Sequence, residues 1–173
     1  LNDKSVTSFH TAGNKIFAGT VANGIFVSTN SGVSWIQTSL NNYTVKSIQS
    51  VNSNLLCGTE GNGVFISTNS GITWTQTSYN NRTVFTFLST DSNLYAGTID
   101  GVIKSTNDGQ SWNTISLSGK AIKTLISWGS YLFCGGFQNG FYMSSNRGVS
   151  WVIKNYGGFA SALKDPSSLL IVN

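Results

Sequence analysis

The eight residues Ser28-Thr-Asn-Ser-Gly-Val-Ser-Trp35 return three times without a gap, as Ser67-Thr-Asn-Ser-Gly-Ile-Thr-Trp74, Ser105-Thr-Asn-Asp-Gly-Gln-Ser-Trp112 and Ser144-Ser-Asn-Arg-Gly-Val-Ser-Trp151. Their tryptophans stand 39, 38 and 39 residues apart. A second marker keeps that step: Ala18-Gly-Thr20, Cys57-Gly-Thr59, Ala96-Gly-Thr98 and Cys134-Gly-Gly136. A third is Gly24, Gly63, Gly101 and Gly140, each opening a short apolar run. A fixed period of this size means one supersecondary unit stacked on copies of itself. The repeats run approximately over 4–42, 43–81, 82–119 and 120–158, with a partial copy at 159–173.

Each unit reads as four short strands, in the second copy 44–50, 55–59, 63–67 and 73–78. They are rich in Val, Ile, Phe, Thr and Trp and are divided by Asn-Ser, Gly-Asn-Gly and Asn-Ser-Gly turn signals. No window sustains a 3.6-residue apolar period, which argues against helix as a main element. The expectation is an all-β chain: a β-propeller, or a fragment of one, built from four-stranded blades of about 39 residues. One such sheet cannot bury both faces alone, whereas stacked sheets cover one another. Residues 159–163 and 168–172 match the first two strands of a fifth blade, whose third and fourth strands do not follow. An unpaired edge of that kind invites self-association through the incomplete blade.

Ser-x-Asn-x-Gly-x-x-Trp resembles the Asp-box, or BNR repeat, in which Asp stands where this chain has Asn30, Asn69, Asn107 and Asn146. The resemblance covers essentially the whole chain. It points to the sialidase-like, sortilin-type and photosystem-assembly-factor-like propellers, and to a non-catalytic member among them. It implies a turn between the third and fourth strands at the blade periphery. The roles of Ser28, Asn30, Gly32, Trp35, Ser67, Asn69, Gly71, Trp74, Ser105, Asn107, Gly109, Trp112, Ser144, Asn146, Gly148 and Trp151 would then be structural. The chemistry agrees. A short Asn side chain accepts hydrogen bonds from nearby backbone amides, the following Gly takes positive φ without steric cost, and the Trp closes the space against the adjacent sheet.

Composition removes several functions. Only 9% of the 173 residues are charged, against about 25% in an average domain. The net charge of +4 comes from singly scattered lysines and two arginines, Arg82 and Arg147. Phosphate-backbone binding needs clustered cations, so nucleic acid is not expected as a partner. No apolar run is long enough for a membrane-spanning helix, and any secretory leader is expected to have been removed. Asn in place of Asp weakens a calcium reading of the turns, since a hard cation wants several carboxylate oxygens and only Asp108 supplies one. Neither a metal nor another cofactor is expected.

Catalytic readings narrow in the same way. A sialidase would need three arginines and a Tyr nucleophile with a Glu partner, and this chain has two arginines and one Glu. A glycosidase pair of carboxylates is conceivable at Glu60 and Asp100, which follow the Gly-Thr marker in adjacent copies, although two solvated loop acids is the plainer reading. His10 is the lone histidine and has no Gly-x-Ser-x-Gly elbow beside it. Cys57 and Cys134 share one slot of the repeat two copies apart, and read as small buried thiols rather than a bridge.

Positions that differ between copies are free to serve a ligand, and they concentrate in two loop families expected on one rim. Tyr43, Glu60, Arg82, Asp100, Lys120, Phe137 and Tyr156 form a mixed aromatic and charged set there. Such a rim suits a protein or glycan ligand. The reading is a non-enzymatic extracellular or periplasmic module, prokaryotic in origin, for protein interaction, adhesion or assembly. The alternative is a carbohydrate-binding propeller lectin, which would be expected to repeat its contact residues in phase. Glycoside hydrolysis ranks behind both.

Overall fold

A computed structural model describes residues 1–91, 93–136 and 140–154. Every regular element among them is a β-strand, and the strands form four antiparallel four-stranded sheets in simple up-and-down order. The first blade is β1 (Val6–Ala12), β2 (Lys15–Thr20), β3 (Ile25–Ser28) and β4 (Ile36–Gln37). The second is β5 (Val45–Val51), β6 (Asn54–Thr59), β7 (Val64–Ser67) and β8 (Thr75–Gln76). The third is β9 (Val84–Thr90), β10 (Asn93–Thr98), β11 (Gly101–Ser105) and β12 (Asn113–Ser116). The fourth is β13 (Ile122–Trp128), β14 (Tyr131–Gly136), β15 (Phe141–Ser144) and β16 (Val152–Ile153). This is the blade architecture of a β-propeller. The expected fifth copy, 159–173, lies outside the described residues.

The outermost strand is shorter than the sequence predicts. Residues 73–78 read as a strand, yet β8 holds only Thr75 and Gln76. The reason is local: the Thr73 amide is taken by Asn69 Oδ1 (2.9 Å), so pairing starts only after Trp74. A short edge strand offers little template for adding a foreign strand. At the other side of the blade, the first strand carries a register shift at equivalent places, Val6/Ser8, Val45/Ser47 and Ile122/Thr124. A bulge there increases the local twist.

The chain forms two compact units, Leu1–Val84 with Thr106–Trp112, and Phe85–Ser105 with the chain from Asn113 onward. The first unit is built on Phe17, Ile25, Val45, Ile48, Leu55, Cys57 and Phe65. The second is built on Tyr95, Val102, Ile122, Leu125, Leu132, Cys134 and Tyr142. Both clusters combine the middle strands of one blade with the first strand of the next, so within the first unit the second sheet covers the first, and within the second unit the fourth covers the third.

The sequence markers are the joints of this packing. In the Ala/Cys-Gly-Thr marker, a Cβ on Gly19 would overlap Val45, one on Gly58 would overlap Val84, and one on Gly97 would overlap the Ile122 carbonyl. Glycine stands there because the next blade's first strand lies against it. The following threonines are fully buried, and Thr20, Thr59 and Thr98 donate to the carbonyls of Gly24, Gly63 and Gly101 at 2.8, 2.8 and 2.9 Å. The second and third markers therefore hydrogen-bond to one another, which explains their shared period.

Candidate functional site

The Asn-Gly-Trp turn is constructed identically in the copies. Ser28 Oγ, at 1% exposure, donates to Asn30 Oδ1 (3.0 Å) and accepts the Gly32 amide (2.9 Å). Asn30 Oδ1 also accepts the Ser34 amide (2.9 Å), while Asn30 Nδ2 donates to Ser34 Oγ (2.8 Å). Trp35 Nε1 closes the loop on the Gly32 carbonyl (3.0 Å). The same bonds recur around Asn69 and Asn146. Asn107 repeats the pair to Ser111. The amide is thus used at both ends, and the hydroxyl six residues after the motif's first Ser (Ser34, Thr73, Ser111, Ser150) is the partner of its Nδ2. The Ser and Asn side chains of the motif are thus engaged within the turn itself.

What joins a turn to its neighbour is chiefly the glycine. A Cβ on Gly71 would overlap the Phe17 ring, and one on Gly109 would overlap Leu56. A Cβ on Gly148 would sit 3.0 Å from Ile115 and 3.5 Å from Tyr95. Phe17, Leu56 and Tyr95 are the third residues of β2, β6 and β10, all essentially fully buried. The indoles were expected to close the gap. Trp112 is buried, but Trp35, Trp74 and Trp151 are only half-buried. Trp151 contributes through its Nε1, which also reaches Ser116 Oγ of the preceding blade (2.7 Å).

The expected rim residues fall into distinct settings. Tyr43 is half-buried: its ring packs on Phe65 (centroids 4.9 Å apart) against the first core cluster, and its carbonyl accepts the Gly24 amide. Glu60 is exposed and paired with Lys46 (2.8 Å). The Arg82 carbonyl receives the Gly63 amide (2.7 Å), and its guanidinium donates to the Asn81 carbonyl (3.0 Å). These bonds bring the two loop families of the first unit together, with Glu60 and Arg82 on adjoining loops. In the second unit the Asp100 carbonyl accepts the Gly119 amide (3.2 Å), which places the Lys120 loop beside Asp100. Phe137 and Tyr156 lie outside the described residues.

Of the titratable groups considered earlier, His10 sits within β1 and its Nε2 hydrogen-bonds Ser50 Oγ of the next blade; burial holds its pKa below the ordinary imidazole value. Cys57 and Cys134 are free, buried thiols, pushed far up by burial and inert as nucleophiles.

A surface that the sequence did not single out is a groove beneath the second and the fourth turn, each against the first hairpin of the preceding blade. Between the first and second blades it measures about 260 Å³ and contains Lys15, Asn52 and Ser70. Between the third and fourth blades it measures about 520 Å³ and contains Asp91, Tyr95 and Arg147. Burial raises the Tyr95 phenol above its ordinary pKa, against the opposing charge of Arg147. The available signal was the residue after the motif's Asn (Ser31, Ser70, Asp108, Arg147), which varies inside an otherwise constant turn.

The periphery is also marked by apolar side chains in water. Val33, Ile72 and Val149 occupy one position of the turn and are 85%, 65% and 75% exposed. Ile36 and Val152, directly after the Trp, are 68% and 57% exposed.

No protein-family model matches the chain, and no curated protein does. Among solved structures, an ancestral GH74 enzyme is similar over 90% of this chain and 25% of its own, with a TM-score of 0.76 and 21% identity. The extracellular domain of BT4673 from B. thetaiotaomicron is similar over 89% of this chain and 22% of its own (TM-score 0.72, 18% identity). YCF48 from Cyanidioschyzon merolae is similar over 90% and 58% (TM-score 0.68, 10% identity). The chain thus spans between about a quarter and somewhat over half the length of these structures. At such identities the likeness is one of fold. No helix among the described residues is long and apolar enough to cross a membrane.

Proposed function

We propose that this chain is a non-enzymatic binding and scaffolding propeller of the Asp-box type, working outside the cell and taking protein partners on the outer edge of its blades. The observation that carries this reading is the recurrence of exposed apolar residues at fixed turn positions: Val33 with Ile36, Ile72, and Val149 with Val152. A Val or Ile held in water by a turn whose Ser and Asn side chains are bonded within it serves no core. Grouped apolar side chains on such a surface mark a contact region. In the third copy the same places hold Gln110 and Asn113, so the patch is interrupted there.

Two features set the mode of contact. Three of the four outer strands contain only two residues, so partner binding rests on side chains rather than on strand addition. The turns that present the side chains are rigid, which lowers the ordering cost of binding. The complex of YCF48 with the D1 peptide supports a peptide partner by analogy of fold, and the extracellular domain of BT4673 supports the placement outside the cell in the same way. The rim carrying Glu60, Arg82, Asp100 and Lys120 is the second candidate surface, supported by the exposed Glu60 carboxylate. Self-association remains part of this reading as one form of protein partnership.

Selecting a displayed peptide library on the purified chain tests the proposal. Peptides of mixed apolar sequence are expected, with affinity falling at least about tenfold in the double variant Val33→Asp, Ile36→Asp, since each lost hydrophobic anchor is worth about 1–3 kcal/mol. Binding untouched by that change but abolished by Glu60→Gln or Arg82→Ala would transfer the site to the rim. Selection of no peptide, with saturable binding on a glycan array, would replace the reading by a lectin.

A further inference from the structure

The residue after the motif's Asn sits over the first hairpin of the preceding blade, and three copies use it as a fastener. In the second copy the Ser70 carbonyl accepts Lys15 Nζ (3.1 Å). In the third, Asp108 Oδ1 accepts Asn52 Nδ2 (2.9 Å). The fourth copy fastens its turn through the main chain, as the second does. The Tyr95 hydroxyl donates to the Arg147 carbonyl (3.1 Å), so the main chain makes the joint and the side chain is released from it. Among the described residues, Lys46 pairs with Glu60, and no such pair engages the Arg147 guanidinium. It lines a groove of about twice the volume of the one between the first two blades, about 520 Å³ against 260 Å³.

The groove has a definite chemical character. Asp91, from the β9–β10 turn, supplies a carboxylate. Ser127, near the end of β13, and Ser130, in the β13–β14 turn, supply exposed hydroxyls, as does Ser145 beside the Asn. The apolar residues beneath, Tyr95 and Leu132, are 1% and 5% exposed and offer little surface for an apolar anchor. A cation and an anion in one groove cancel in net charge, which disfavours a phosphate or a carboxylate ligand. A peptide would find hydroxyls where it needs apolar pockets.

We propose that this groove is a saccharide site that reads a vicinal diol between Arg147 and Asp91. Two neighbouring sugar hydroxyls each donate and accept. They can take parallel N–H bonds from a guanidinium and return O–H bonds to a carboxylate, the two geometries that planar bidentate groups provide. The serine hydroxyls, able to act either way, satisfy the remaining ring substituents. The volume falls in the range of small-ligand sites, about 300–1,000 Å³, with room for a mono- or disaccharide. The site is separate from the peripheral apolar surface and does not rest on it.

Titration of the isotope-labelled chain with neutral sugars (glucose, galactose, mannose, maltose, cellobiose), followed by amide chemical shifts, tests this. Glucuronate and inorganic phosphate serve as anionic comparisons. The expected result is saturable shifts at Ser127, Ser130 and Arg147 with at least one neutral sugar. Binding should weaken at least tenfold in Arg147→Gln and in Asp91→Asn, both exposed substitutions, with the circular dichroism spectrum unchanged. The double variant Val33→Asp, Ile36→Asp should bind sugar normally even if it has lost peptide partners. Absence of shifts with every neutral sugar would overturn the proposal. So would binding of glucuronate or phosphate alone, strengthened by Asp91→Asn, which would make the groove an anion site.

Discussion

Gly32 and Gly71 hold the same place in two copies of one motif, with the same serine hydroxyl on their amides and an indole N–H on their carbonyls. Their surroundings differ completely. Gly71 is buried against Phe17 and Leu55, whereas a Cβ on Gly32 would meet only its own Trp35, at 3.8 Å. The receiving side shows the same contrast. Phe17 is fully buried beneath Gly71, while Phe133, its counterpart in the fourth blade, is half-buried beside Tyr131. The motif's hydrogen bonds close within the turn itself, and at Gly71 and Gly109 the turn also meets the third residue of a preceding second strand, Phe17 and Leu56.

The sharpest way to break this comparison is to empty the receiving position. Phe17→Ala should cost about 3–5 kcal/mol, as buried aromatic truncations do, and Phe133→Ala distinctly less, read from denaturant midpoints at constant slope. Equal losses would mean that the turn adds nothing to the burial of Phe17. Next in size is the glycine itself. Gly71→Ala adds a methyl group against the Phe17 ring, costing about 1–3 kcal/mol for overpacking beyond the left-handed backbone cost of about 1–2 kcal/mol. Gly32→Ala has φ of +86° against +83° but open space around it, so it should show the backbone part alone. If both alanines cost the same, the close approach at Gly71 is not what joins the blades.

The smallest expected effect concerns His10, which links β1 to Ser50 of the second blade. Because burial lowers its folded pKa below the ordinary value of 6.5, the unfolded chain binds the proton more readily. The bond's contribution is thus present above about pH 6.5 and is lost as the pH falls through that value toward the lower folded pKa. A midpoint of unfolding that drops modestly between pH 7.5 and 5, and does so less in His10→Gln, is the expected outcome. A pH profile identical in the two proteins would remove His10 from the joint.

Much of the fold was legible because its causes are local. Asn30, Gly32, Ser34 and Trp35 satisfy one another within eight residues, so their spacing reveals the turn before any packing is known. The fourth strand was read too long because Thr73 has strand propensity, yet its amide is claimed by Asn69. The candidate site was less legible. Variation between copies pointed to Tyr43, but an aromatic ring reads alike whether it faces a ligand or packs on Phe65. Arg147 looked like ordinary variation inside a turn. Its interest comes from Tyr95 binding its carbonyl, a contact between residues 52 positions apart.

The sequence by itself determined the period, the all-β character and the chemistry of the Asn-Gly-Trp turns, because strand alternation and turn hydrogen bonds are settled among residues within a few positions of each other. Only the tertiary structure decided which glycines become joints, which variable residues face water and where a groove stays open. Those outcomes depend on what the neighbouring sheet places opposite, and the neighbour is about 39 residues away, a distance at which residue type no longer dictates contact.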